Sequence, residues 1–152
     1  MTKLILASKS PRRLQLLNST NIIPDIVDPP NINESIKQKE KPKIYLKRIC
    51  LEKATNIQKR YENDIILAAD TIVSTKQKIF LKPKDEEDAK KTLKYLSGRN
   101  HSVITGVCVL FKDRKKVKII ETKIKFKKLH NNEIDQYIKT SQWVDKAGSY
   151  AI

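Results

Sequence analysis

The 152-residue chain is poor in the residues that mark several large protein classes. It holds three Gly, two Cys, one Trp and one Met, and only 6% of its residues are aromatic. Two cysteines cannot build a disulfide framework, and neither Cys50 nor Cys108 lies at metal spacing from a His or a second Cys. Both fall in apolar stretches and read as buried free thiols. No apolar run approaches the ~18 residues of a membrane span. The short apolar run after Lys3 falls below the ~7–15 residues of a secretory signal core. There is no Walker A loop, no dinucleotide fingerprint and no nucleophile elbow. A single Trp without aromatic neighbours makes a poor stacking platform for nucleic acid, so Trp143 reads as a packing anchor. These absences leave one soluble domain with a cytoplasmic location as the expectation.

What the chain has in excess is positive charge. Thirty-two Lys and Arg against 17 Asp and Glu give a net charge of +15. One reading is a polyanionic partner. The other is compositional drift: 26 of the basic residues are Lys, and Ile outnumbers Ala 20 to 7, as AT-rich codons favour. The lysines are scattered rather than stacked on one face. A positive field also steers small anionic ligands, so these fit either reading.

Patterning gives an α/β domain with a mixed sheet. Lys3 to Ala7 reads as a buried strand. Ser10-Pro11 then starts a short helix, with Ser at the N-cap and Pro in the first turn. A second strand is expected over Ile22 to Val27, followed by a Pro/Asn loop from Asp28 to Lys41. Pro42 to Tyr61 carries an apolar stripe at helical spacing. Asp64 to Ala69 reads as a short strand ending at Asp70-Thr71, with a small hairpin over Ile72 to Phe80. Asp85 to Asp88 put four acids at the start of a helix that Gly98 stops. Ser102–Phe111 and Lys116–Phe126 form a hairpin around Asp113-Arg114-Lys115. Asn131 to Lys139 is the final helix, and Trp143 to Ile152 reads as a short tail without a cap, a turn or a polar end.

Two places could carry chemistry. In Ser8-Lys9-Ser10-Pro11-Arg12-Arg13 a strand gives way to a helix N-terminus, whose free N–H groups can bind an anion. Arg12 and Arg13 oppose the helix dipole there, which a bound phosphate would offset; the alternative is two solvated arginines. Asp70 follows an apolar strand, at the end where α/β sheets bind ligands. It could hold a divalent metal or activate water, or it could simply form a turn. Glu34 alone reads as a loop acid, Lys53 as a snorkelling helix lysine and His101 as structural.

The same residues give a resemblance. Leu6 to Arg13, Glu34, Lys53-Ala54, Ala68-Ala69-Asp70-Thr71, Lys82-Pro83, Leu96-Ser97-Gly98-Arg99 with His101, Thr105-Gly106, Glu121-Thr122, Phe126 and Asp145-Lys146-Ala147-Gly148 follow the order of motifs in the Maf family of nucleotide pyrophosphatases. The chain resembles that family over nearly its whole length. The resemblance implies a mixed sheet with flanking helices in two lobes around a cleft, similar to the inosine-triphosphatase type. It implies hydrolysis of a nucleoside triphosphate to the monophosphate and pyrophosphate with Mg²⁺ or Mn²⁺. Asp70 would accept the proton of the attacking water, and Glu34 and Asp70 would hold the metal. Arg12, Lys53, Lys82 and Lys146 would surround the triphosphate, beside the Ser8, Ser10 and Arg13 helix start. Arg12 and Thr71 match positions tied to base selection. The Asp145–Gly148 stretch points to the dTTP/UTP subgroup.

The chain departs from the family pattern in two ways. Leu81 replaces a usual Gly before Lys82-Pro83, and the family continues past the point corresponding to Ile152. The second departure raises the expectation of an impaired nucleotide-binding remnant, or of one half of a split enzyme paired with a separately encoded piece. The family often forms homodimers. A basic nucleic-acid-binding module is the remaining rival, against which the ordered motifs argue.

Overall fold

A computed structural model describes residues 1–76 and 78–151. The chain forms a mixed six-stranded sheet with helices, in the α/β class that the patterning predicts. The elements are β1 (Leu4–Ala7), α1 (Pro11–Ser19), β2 (Ile26–Val27), α2 (Pro42–Gln58), β3 (Ile65–Ser74), β4 (Ile79–Phe80), α3 (Glu86–Leu96), β5 (Asn100–Phe111), β6 (Arg114–Lys125) and α4 (Asn131–Lys139). The strand order is β2-β1-β3-β5-β6, with β4 paired to β3. Strand β1 runs parallel to both β2 and β3, and β4 antiparallel to β3.

The chain divides into two compact units. The first is Met1–Asp70 with Thr105–Ile119. Its core gathers Ile5, Ala7, Cys50, Ala54, Ile57, Ile66, Ala68, Cys108 and Leu110. Helix α2 supplies the apolar stripe expected of it, and Pro42 opens it at a position where a missing N–H costs nothing. Burial of each large aliphatic here stabilises by about 1.5–3 kcal/mol. Cys50 and Cys108 are free and buried, as expected.

The second unit is Thr71–Ile104 with the chain from Ile120 on. One cluster joins Val73, Phe80, Leu96 and Val103; another joins Ala89, Leu93, Ile134 and Ile138. Asp85 caps α3 by accepting the Asp88 N–H at 2.8 Å, and Glu86, Glu87 and Asp88 fill the first turn. Gly98, at φ 68°, takes the left-handed conformation that ends α3. His101 is structural: it is buried, it meets the Tyr150 hydroxyl at 2.6 Å, and Phe126 packs edge-on to its ring. Trp143 anchors as expected, its indole N–H donating to the Ile138 carbonyl at 2.9 Å.

The structure corrects several boundaries. Strand β2 keeps only Ile26–Val27 of the expected Ile22–Val27. The β5–β6 turn is Lys112-Asp113, with Lys112 in the left-handed region at φ 51°, rather than Asp113–Lys115. The tail contains a 3-10 turn, Ala147–Ser149. The Ile72–Phe80 hairpin forms, pairing Val73 with Phe80, although its Gln77 lies outside the described residues, as does Ile152 in the tail. The backbone at Leu81 has no positive φ, so this site does not use the freedom that Gly would bring.

Ser149 carries two costs in that 3-10 turn. Its φ is 68°, and its buried hydroxyl has no hydrogen-bond partner among the described residues. A left-handed non-glycine residue costs about 1–2 kcal/mol and an unpaired buried hydroxyl about 1–3 kcal/mol, against about 0.5–1 kcal/mol for glycine's extra unfolded-state entropy. Ser149→Gly is therefore expected to stabilise by about 1–4 kcal/mol and raise Tm by about 2–15 °C. A thermal melt showing a lower Tm would contradict this.

Candidate active site

The largest correction concerns Asp70. It does not end its strand, because β3 continues to Ser74. The parallel register pairs Ala7 with Ala68, so Asp70 lies two residues beyond the end of its neighbour β1. Alternation places Asp70 on the same face as Ile66, Ala68 and Ile72, all buried. A carboxylate at a core-facing position is tolerable only if its charge is paired. That requirement excludes the reading of Asp70 as a simple turn former.

Its partners come from two elements. Lys53 on α2 is nine-tenths buried, and its Nζ lies 3.2 Å from Asp70 Oδ2. The same ammonium lies 3.0 Å from Glu34 Oε1. Lys53 therefore does not snorkel; it bridges two carboxylates. Arg13 on α1 brings Nη2 to 3.4 Å from Asp70 Oδ1 and Nη1 to 3.4 Å from Ser8 Oγ. Ser8 Oγ also accepts the Ser10 N–H at 3.1 Å, which shapes the turn into the helix. Ser10 occupies the N-cap position of α1, as its motif suggests, but makes no side-chain cap bond. Arg12 lies exposed in the first turn.

Ser8, Arg13, Glu34, Lys53 and Asp70 thus meet within the first unit as an alternating set of two cations and two anions. Lys82 and Lys146 belong to the second unit. There Lys82 Nζ lies 2.5 Å from Asp145 Oδ1, and Lys146 donates to the Gln142 carbonyl. Thr71 begins that unit, next in the chain after Asp70.

Sequence reading missed Tyr45 and Arg48. The Tyr45 hydroxyl donates to the Glu34 carbonyl at 2.8 Å, and Arg48 Nη2 donates to the Ser35 carbonyl at 3.0 Å. Burial, reinforced by the Asp70 and Glu34 charges, pushes the Tyr45 phenol well above its ordinary range, so it stays a donor. Tyr45, Ile49 and Lys53 recur every fourth residue on α2, a spacing that could have tied Tyr45 to Lys53. Burial, and secondarily the Asp70 charge, pushes the Cys50 thiol up to about 12, so this neighbour is no nucleophile.

Glu34 and Asp70 converge on one cationic centre through oxygen donors. That donor set suits Mg²⁺ or Mn²⁺, hard cations commonly held by one or two carboxylates together with substrate phosphates. Among the described residues no group of three or more His, Cys, Asp or Glu forms a cage that would hold a metal by protein ligands alone. No helix among them is long and apolar enough to cross a membrane.

The chain is 44% identical over 150 residues to a dTTP/UTP pyrophosphatase of Caulobacter vibrioides, covering 98% of this chain and 78% of that one. It is 46% identical to a dTTP/UTP pyrophosphatase of Pyrococcus furiosus, covering 100% of this chain and 79% of the relative. A crystal structure of a Vibrio cholerae protein matches with a TM-score of 0.50 at 10% identity, over 91% of this chain and 70% of that one, a likeness of fold alone. Residues 3–152 match the family described as Maf-like protein, and with relatives this similar over nearly its whole length, the chain belongs to the Maf family.

Proposed function

We propose that the chain is a nucleoside triphosphate pyrophosphatase that hydrolyses dTTP and UTP to the monophosphate and pyrophosphate. The observation that carries the reading is the Glu34–Lys53–Asp70 bridge beside the start of α1, in a chain whose relatives are named dTTP/UTP pyrophosphatases. Asp70 accepts the proton of the attacking water. Lys53 and Arg13 contact its carboxylate and orient it for that task. Arg12 and the N–H groups at the start of α1 meet the triphosphate, with Ser8 and Ser10 shaping the loop. Lys82 and Lys146 keep the phosphate-binding role that their motifs imply, and Arg12 and Thr71 contribute to the choice of base.

Glu34 and Asp70 would hold the divalent cation. Bound there, Mg²⁺ or Mn²⁺ would neutralise phosphate charge and acidify a nearby water. Cleavage between the α and β phosphates spreads charge over oxygens, and the Lys and Arg set stabilises it in place. A cytoplasmic site of action suits a substrate made and used in that compartment.

Pyrophosphate release from dTTP, UTP, 7-methyl-GTP and ATP with Mn²⁺ tests the proposal. Turnover of dTTP and UTP above the other two is expected. Folded protein that releases none from any of the four would refute the enzyme reading.

A further inference from the structure

We infer that Tyr45 and Arg48 are positioning residues that hold the Glu34 carboxylate at Lys53 by pinning the backbone of its loop. The inference rests on the proposed function for what Glu34 does, and on geometry for how Glu34 is held.

Glu34 lies in the stretch between β2 and α2, which has no regular secondary structure to fix it. Its side chain is about half exposed, unlike those of Lys53 and Asp70. A half-exposed acid on an irregular loop loses orientation unless its backbone is tied. Helix α2 supplies the ties. Tyr45, fully buried, donates to the carbonyl of Glu34 itself. Arg48, one turn on, donates to the next carbonyl, Ser35.

Arg48 is fixed in turn by a two-pronged pair with Glu40, Nε to Oε1 and Nη2 to Oε2, both at 2.7 Å. Glu40 Oε2 also accepts the Lys37 N–H at 3.0 Å, which closes the far side of the loop. Glu52 contacts Arg48 Nη1 at 3.3 Å. A planar guanidinium can serve all these acceptors at once, and a lysine ammonium cannot. The bond from Arg48 holds the Glu40 carboxyl down at about 2, so the fork stays charged at neutral pH. One helix therefore presents Lys53 to the Glu34 side chain and Tyr45 and Arg48 to its backbone.

The test uses the whole chain as wild type, Tyr45→Phe and Arg48→Lys, each alone and combined with Glu34→Gln. Amide hydrogen exchange over residues 31–37, Mn²⁺ binding without nucleotide, and kcat and KM for dTTP are read. Tyr45→Phe keeps the buried ring, so the fold should survive. Removing its one hydrogen bond should speed exchange over residues 31–37 by about five- to tenfold, weaken Mn²⁺ binding by a similar factor and lower kcat more than it changes KM. On the Glu34→Gln background neither substitution should lower kcat further.

Unchanged exchange over residues 31–37 in both variants would overturn the inference. Losses in kcat that multiply with Glu34→Gln would also overturn it, because Tyr45 and Arg48 would then act by another route. A wild type without Mn²⁺ binding or turnover would count against the pyrophosphatase reading instead. The exchange measurement would still decide whether these residues hold the loop.

Discussion

Replacing Asp70 with Asn is expected to lower kcat for pyrophosphate release from dTTP by about 10²–10⁴-fold, the range lost when a general base is removed. Asn keeps the shape and size of Asp, so packing on the buried face of β3 with Ile66, Ala68 and Ile72 should persist. The amide cannot take a proton from water at neutral pH. The charge balance also changes: two anions and two cations become one anion and two cations. Lys53 retains Glu34 at 3.0 Å, and Arg13 retains Ser8 Oγ. Neither cation is orphaned, so stability should fall by about 1–3 kcal/mol rather than collapse. The check is a steady-state pyrophosphate assay beside a thermal melt. A folded variant with wild-type kcat would remove Asp70 from the chemistry. A variant that fails to fold would show that the carboxylate is needed for the core, and Asp70→Glu would then separate charge from reach.

How far the sequence carried this site depends on the kind of contact involved. Glu34 and Lys53 read alone as a loop acid and a helix lysine, and only the family resemblance picked them out; the Ser8–Arg13 turn and Asp70 stood out from local pattern. The apolar stripe of α2 and the acidic start of α3 were readable for the same reason, since periodicity and capping are local. The end of β3 was not. Asp70-Thr71 looks like a turn, yet Ile72 and Val73 are β-branched, and Val73 pairs across to Phe80, which extends the strand through the acid. Nor was the role of Lys53 readable, because helical spacing places it beside the core but cannot say which acids fold over it. Tyr45 and Arg48 were the least legible. Their partners are the carbonyls of Glu34 and Ser35, and a carbonyl oxygen carries no trace of residue type. The Lys112-Asp113 turn was misplaced because basic residues crowd its flanks and hide the alternation of β6.

Gly148→Ala is expected to produce the largest loss of stability from a single methyl group. Gly148 stands at φ 68°, where an alanine costs about 1–2 kcal/mol. A Cβ there would also lie 2.5 Å from Val73 Cγ2 and 2.8 Å from Val73 Cβ. Val73 is buried with Phe80, Leu96 and Val103, so it has little room to retreat, and overpacking of this kind costs about 1–3 kcal/mol. The lower unfolded-state entropy of alanine returns about 0.4–1 kcal/mol. The net loss is about 2–4 kcal/mol, a fall in Tm of about 5–15 °C. Strain and overlap can be told apart by adding Val73→Ala. That change opens space for the methyl group without altering φ, so the penalty of Gly148→Ala should shrink but not vanish on that background. A Tm within a degree of wild type for Gly148→Ala alone would mean that the second unit yields at Val73. The measurement bears on function as well, because the Gly148 N–H donates to the Leu81 carbonyl at 3.2 Å and Asp145 pairs with Lys82. By the family resemblance, Asp145-Lys146-Ala147-Gly148 points to the dTTP/UTP subgroup. Its glycine is required first by Val73, and a loss of dTTP turnover in Gly148→Ala should therefore accompany the fall in Tm instead of appearing in a fully stable protein.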